Sequence, residues 1–282
     1  MTFNRAVPLA LPLSLLALCA TAQPAQQPVA PAPGAVTSDL PPGLRAARLL
    51  PGWTDAAGNR VLALDLRLEP GWKTYWRSPG DTGLPPYFEW DGSQNLAGVT
   101  FHWPAPEAIR SGERLEMGYH DRLVLPFTAH PADPGQPVIV ASQVELGLCE
   151  NICVPVRLDL LAPDPAAGTD PQITAALEAV PERLDGRPTC KVSQIPDGLR
   201  VTVGLPGPDT TLAAVELTDQ PEVWVSGADL VQDGQGPEAV VEMVGPSGRP
   251  FPLDPDSLRL TVLSGQGVAS RAVEMMGCDL TG

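Results

Sequence analysis

The sequence predicts an all-β protein: two β-sandwich domains joined by a short linker and one helix. Three observations predict it. Short runs in which apolar and polar residues alternate recur along the chain. Loops rich in glycine and proline, which supply 27 and 34 of the 282 residues, separate those runs. Only one stretch carries a helical spacing of apolar residues.

The elements follow in order. Arg5 precedes an apolar stretch, Ala6 to Cys19, and Ala20-Thr21-Ala22 has the small-x-small pattern of a signal-peptidase site. The stretch is too short to span a bilayer comfortably, so residues 1–22 read as a signal peptide. Leu18 before Cys19 argues against a lipoprotein site. Residues 23–42, rich in Pro, Ala and Gln, read as a disordered lead-in. In Val61–Glu69 the leucines at 62, 64, 66 and 68 share one face, and Ala63, Asp65, Arg67 and Glu69 share the other. That is the pattern of a half-buried strand. Further strands are expected at 73–77, 87–91, 98–103, 122–128, 137–146 and 153–161, completing a first domain over 43–162. Residues 162–169 form the linker. Asp170-Pro171 caps a short helix whose apolar face is Ile173, Leu177 and Val180. Strand-like runs at 199–205, 212–217, 222–225, 239–244, 258–263 and 269–274 place a second β-sandwich at 171–282.

The formal net charge of −15 argues against nucleic acid or an anionic membrane surface as partner. Of the five cysteines, Cys19 leaves with the signal peptide. Cys149, Cys153, Cys190 and Cys278 then enter the oxidising periplasm, where thiols pair. Four cysteines permit three connectivities, and spacing favours 149–153 with 190–278. The first pair closes a very small ring and adds little chain-entropy stabilisation. The second would enclose nearly all of its domain. On that ground Cys190 and Cys278 read as a structural disulfide, and Cys149 and Cys153 as a redox pair exchanging by thiolate attack. Two antiparallel strands joined by a short turn would bring the sulfurs together. Glu150 disfavours a thiolate beside it, and no Lys, Arg or His is adjacent in sequence, so the partner protein is expected to bring the activated nucleophile.

Three segments then carry a resemblance: Gly147-Leu148-Cys149-Glu150-Asn151-Ile152-Cys153-Val154-Pro155, Pro70-Gly71-Trp72-Lys73-Thr74-Tyr75-Trp76-Arg77, and Gly118-Tyr119-His120-Asp121-Arg122-Leu123-Val124-Leu125-Pro126-Phe127. Together, over residues 43–162, the chain resembles the N-terminal periplasmic domain of the DsbD/ScsB thiol:disulfide interchange proteins. The resemblance implies an immunoglobulin-like β-sandwich and a thiol–disulfide oxidoreductase that needs no cofactor beyond its redox-active disulfide. A membrane-embedded thiol reductase would be the electron donor. Periplasmic thioredoxin-like or isomerase proteins, or proteins of cytochrome c maturation, would be the acceptors. It makes Cys149 and Cys153 the exchanging pair, with Cys153 forming the mixed disulfide, and sets Tyr75 beside them. It also implies a cap loop at 111–119, where the family's aromatic is missing and Leu115, Met117 or Tyr119 would substitute. Three departures stand out. The spacing is C-x3-C rather than the C-x5-C of the family's best-known members. Neither a multi-helix membrane domain nor a thioredoxin-like domain is present, so the chain is expected to act as a stand-alone soluble protein. A second β domain occupies their place, as in ScsB-type N-terminal regions.

Other readings compete. The aromatic set Trp72, Tyr75, Trp76, Tyr87, Phe88, Trp90, Phe101 and Trp103 could form a glycan platform, but alternating strand aromatics read as core. His102, His120 and His130, with Met117 and the cysteines, are soft enough for Cu(I), yet no ligand spacing joins them; no metal ligand is assigned. Asp121-Arg122 reads as a local ion pair, and Met275-Met276 as packing around the second disulfide. The alternatives to the exchange function are therefore a non-catalytic binding module stapled by disulfides and a Cu(I)-handling protein.

Overall fold

The alternating leucines of the segment after residue 60 organise the first half of the molecule. The computed structural model describes Met1 and residues 40–112, 114–233, 236–265 and 270–281. The expected signal peptide and lead-in lie outside these residues, apart from Met1 and 40–42.

Strands β1 (Leu44–Thr54), β2 (Arg60–Leu68), β3 (Lys73–Tyr75), β4 (Tyr87–Glu89) and β5 (Leu96–Phe101) are followed by β6 (Glu107–Ser111) and β7 (Arg114–His120). Then come β8 (Arg122–Pro131), β9 (Ala141–Cys149) and β10 (Cys153–Leu161). They form two antiparallel sheets, ordered β1-β2-β8-β5 and β10-β9-β3-β7-β6, with β4 also paired to β9. The inner faces meet in one core that includes Leu62, Leu64, Leu66, Trp76, Phe127, Val144, Leu146 and Leu148. Each fully buried leucine contributes about 1.5–3 kcal/mol. The expected aromatic core is present in part: Phe88, Trp90, Phe101 and Phe127 pack with ring centroids 4.5–6.1 Å apart, whereas Tyr87 is exposed and Tyr75 lies outside this core.

Strand β2 is not half-buried as its alternation suggests. Ala63 and Asp65, on its outer face, are as buried as the leucines. Helix α1 (Pro171–Glu178) lies there, with Ile173 against Leu50 and Ala63. Asp65 receives Arg122 at 2.7 Å and Arg48 at 3.0 Å, so its charge is buried but paired. This corrects the local pairing expected of Asp121-Arg122. Asp121 instead makes the sharp step from β7 to β8 at φ +56°, and its carbonyl accepts from Leu68 N at 2.7 Å. Asp170 caps α1 by accepting from Gln172 N at 2.7 Å, as expected, whereas Val180 lies beyond the helix and is exposed. The helix packs on the first sandwich, so a domain boundary at 171 would cut it from the sheet that buries it. The preceding linker is also tied down: Ala162 N donates to Val140 O, Ala166 N to Gly52 O, and the Arg60 guanidinium to Pro163 O.

The second half holds β11 (Glu182–Arg183), β12 (Thr189–Ile195), β13 (Gly198–Gly204), β14 (Thr210–Leu217), β15 (Trp224–Val225) and β16 (Asp229–Asp233). It continues with β17 (Gly236–Val244), β18 (Leu258–Ser264), β19 (Arg271–Met276) and β20 (Asp279–Leu280). Its sheets run β11-β19-β18-β14 and β15-β17-β13-β12-β20, with β16 on β17. Alternation splits β18 cleanly. Leu258, Leu260 and Val262 enter this sandwich's own core. Arg259, Thr261 and Leu263 point the other way, and Leu263 joins Ala214 and Ala272 in the core of the first sandwich. The two sandwiches are therefore packed together through the outer face of β14-β18-β19.

Candidate functional site

The register of β9 and β10 places Cys149 directly across from Cys153, with Cα atoms 4.1 Å apart and the sulfurs bonded. Glu150, Asn151 and Ile152 make the turn between them. Cys190 and Cys278 form the other disulfide, with Cα atoms 5.8 Å apart. Parity decides what surrounds the first pair. On β9, Val144, Leu146 and Leu148 point into the core, so Glu145, Gly147 and Cys149 point outward. On β3, which pairs with β9 and β7, Lys73 and Tyr75 share that outer face, and Lys73 is the register partner of Cys149. Glu116 and Gly118 of β7 lie on the same face.

The Tyr75 hydroxyl stands 3.2 Å from both sulfurs, so its single proton can be donated to either. Burial first, then the nearby Glu116 carboxylate, push the Tyr75 phenol up to about 12. It therefore remains a donor throughout the neutral range. Beneath the ring, Lys73 Nζ lies 2.5 Å from Glu116 Oε2, 2.8 Å from Ser111 Oγ and 5.5 Å from the Tyr75 ring centroid. Thr82 donates its hydroxyl to the other Glu116 oxygen. Burial raises the Glu116 carboxyl, but hydrogen bonds from Lys73 and Thr82 and the Lys73 charge outweigh it, leaving it below its ordinary value. The two sulfurs differ in access. Cys149 is only 1 % exposed, whereas Cys153 is exposed to solvent.

Strand β3 leaves the sheet after Tyr75, and the chain rejoins β9 at β4, where Tyr87 pairs with Glu145. Gly147 sits in the gap. A Cβ there would come within 2.7 Å of Leu84 Cβ and 3.3 Å of the Tyr75 ring, so only glycine admits this arrangement. Residues 78–86 thus fold over the outer face as a cover. Gly83 closes against the same ring, where a Cβ would lie 3.0 Å from Tyr75 Cδ1.

The structure relocates the expected cap. Within residues 111–119, Ser111 ends β6 and 114–119 belong to β7, and Met117 and Tyr119 alternate to the inner side, where both are core. Tyr119 donates to Pro104 O at 2.8 Å, and burial pushes its phenol well above the ordinary range. Leu115 lies in the same strand register as Met117, so none of the three replaces the family's aromatic at the disulfide. Tyr75 is brought to the pair; Lys73, Glu116, Thr82 and Leu84 are the members that sequence reasoning missed. The histidines are dispersed: His120 contacts Glu107, His102 contacts Thr128, and His130 contacts Thr100 and Asn59. Among the described residues no group of three or more His, Cys, Asp or Glu could hold a metal ion, so the Cu(I) set is not assembled.

Tyr75→Phe removes the donor at small steric cost. We expect disulfide exchange to slow about tenfold, the equivalent of one hydrogen bond to a developing thiolate. Stopped-flow reduction of the oxidised protein by a small dithiol checks this; an unchanged rate would assign Tyr75 to packing alone.

Curated proteins offer no match to the chain. A family model does: "Thiol:disulfide interchange protein DsbD, N-terminal" matches residues 46–165. The crystal structure of the N-terminal periplasmic domain of ScsB from Proteus mirabilis superposes with a TM-score of 0.53 at 22 % identity. That match covers 83 % of this chain and 92 % of that one, and it shows a shared fold. The cysteines, the Tyr75 segment and the β7–β8 segment all lie inside the matched span, so residues 46–165 are similar to the N-terminal domain of the DsbD thiol:disulfide interchange proteins.

Proposed function

We propose that the protein relays electrons in the periplasm by thiol–disulfide exchange through Cys149–Cys153, from a membrane-embedded thiol reductase to periplasmic thiol proteins. The observation that supports this best is the asymmetry of the pair: an exposed Cys153 bonded to a buried Cys149, with the Tyr75 hydroxyl shared between their sulfurs. A partner thiolate attacks Cys153 Sγ, a partner–Cys153 bond forms, the Cys149–Cys153 bond breaks, and Cys149 leaves as a thiolate. Tyr75 donates to that thiolate. The partner's second thiolate then attacks its own sulfur in the mixed disulfide, which releases Cys153 and completes a two-electron transfer. Delivery runs the same steps in reverse, with Cys153 attacking the acceptor disulfide and Cys149 resolving. Ile152, Tyr87 and Leu84, all exposed, offer a partner apolar contact around Cys153. The family's name supports interchange chemistry, and no helix among the described residues is long and apolar enough to cross a membrane. Acceptors in cytochrome c maturation or disulfide isomerisation are the finer part of the proposal.

The test is trapping in periplasmic extract. Cys149→Ser leaves an exposed thiol with no resolving partner and should accumulate mixed disulfides. Cys153→Ser leaves a buried thiol and should capture at least about tenfold less. If neither variant traps a protein, and the oxidised pair resists reduction below about −300 mV, the disulfide is structural.

A further inference from the structure

The cover over the redox pair is fastened to the second sandwich. Arg77, two residues past Tyr75, stacks on Trp76 at 4.0 Å and reaches across to Glu216 Oε1 at 3.1 Å and Glu274 Oε2 at 2.8 Å. These side chains are mostly buried, and Arg259 completes the cluster at 2.9 Å from Glu216. Four residues further on, Asp81 accepts the backbone N–H of Gly227, also from the second sandwich. Clefts of about 570 and 750 Å³ flank the loop on its two sides, so packing alone does not hold it. From these anchors the chain runs to Gly83 and Leu84, which press on Tyr75 and fill the space over Gly147.

We propose that the second sandwich serves as the anchor of the 78–86 cover. Through Arg77 and Asp81 it keeps the loop closed on Tyr75, the Tyr75 hydroxyl on the sulfurs, and Cys149 shielded. Arg77 and Asp81 are then positioning residues for the exchange, a role that rests on the reading of Cys149–Cys153 as redox-active. The first sandwich also holds the loop, through Thr82–Glu116, Pro79 O to Met117 N at 3.1 Å and an exposed Arg114–Asp81 pair at 3.1 Å. Releasing the second-sandwich side should therefore loosen the cover without unfolding it.

The experiment uses the full chain, reduced and oxidised, with two changes. Asp81→Ala breaks one anchor together with the Arg114 pair, which Arg114→Ala removes by itself as the control, and the Glu216→Gln/Glu274→Gln double variant breaks the other anchor from the far side. In each anchor variant, alkylation of reduced Cys149 by iodoacetamide should rise about tenfold, one charge-assisted hydrogen bond's worth of opening, with Cys153 unchanged. Amide exchange in 78–86 should rise while β9 and β10 stay protected. Reduction of the oxidised pair by dithiothreitol should slow, and in a Tyr75→Phe background Asp81→Ala should add no further slowing. Unchanged Cys149 alkylation in both variants overturns the proposal. So does amide exchange that rises equally across the first sandwich, which would mean general loosening. Alkylation needs no physiological partner. A failed trapping experiment alongside an opened Cys149 would therefore sink the exchange reading and leave the anchor standing.

Discussion

Replacing Cys190 and Cys278 with serine is expected to remove about 4–5 kcal/mol of unfolding free energy, the chain-entropy value for a loop of this size. The bridge spans 88 positions and encloses almost all of the second sandwich. It fastens β12 to the C-terminal segment exactly where pairing is thinnest: β20 contributes two residues, and Thr281 N donates to Cys190 O at 2.8 Å. Both sulfurs are buried, so serine would also bury two hydroxyls without assured partners. The same change at Cys149 and Cys153 should cost about 2 kcal/mol, because the ring is five residues. Equilibrium denaturation of the two double variants makes the comparison. Equal costs, or a smaller cost for 190–278, would refute the assignment of that bridge as the staple.

Much of the architecture was legible because alternation is a local signal. β10 could be read at single-residue level and has the bounds expected, 153–161, whereas β2 was legible as a strand but not in the burial of its outer face. What escaped were strands whose alternation is interrupted. β1 carries a bulge at Pro51-Gly52, with Gly52 at φ +60° because a Cβ would strike Val61 O. β7 contains Gly118, where the backbone of Thr74 approaches too closely for any side chain. Missing β7 turned a strand into a supposed cap loop, and with that error Met117 and Tyr119 were placed at the disulfide instead of in the core. The site itself was half legible. The cysteines and Tyr75 stood out by motif, but the cation expected to be absent beside the pair is present. Lys73 is 76 positions from Cys149 in sequence and opposite it in the sheet. Register, which no local pattern encodes, made that neighbour. One clue was available: Lys73 and Tyr75 alternate in phase, so whatever Tyr75 faces, Lys73 faces too.

That neighbour leads to the second large effect. Lys73→Met and Glu116→Gln should each destabilise the protein by about 3–5 kcal/mol, because each leaves one charge buried without its partner. The double variant should recover most of the loss, since a neutral pair needs no compensation. Stability alone would not separate structural from redox consequences, but the sign of the pH response does. The charged groups nearest Cys149 by strand pairing and sequence are Lys73 of β3, its partner Glu116 of β7 on the same sheet face and Glu150 of the turn, with Tyr75 as neutral donor. Losing Lys73 leaves the carboxylates in control, so reduced Cys149 should become reactive only at higher pH. Losing Glu116 leaves an uncancelled ammonium, and reactivity should begin at lower pH. Opposite shifts in the alkylation profile mark electrostatic control of the leaving thiolate; shifts in one direction for both variants would mean general damage to the site. Acid titration of the wild type gives an independent check. Glu116 is held below its ordinary value, so its contribution is intact above the unfolded carboxylate range and is lost as pH falls through its folded value. Glu116→Gln should therefore remove that acid-side loss of stability, and with it the buried anion that now neutralises Lys73 beneath the disulfide.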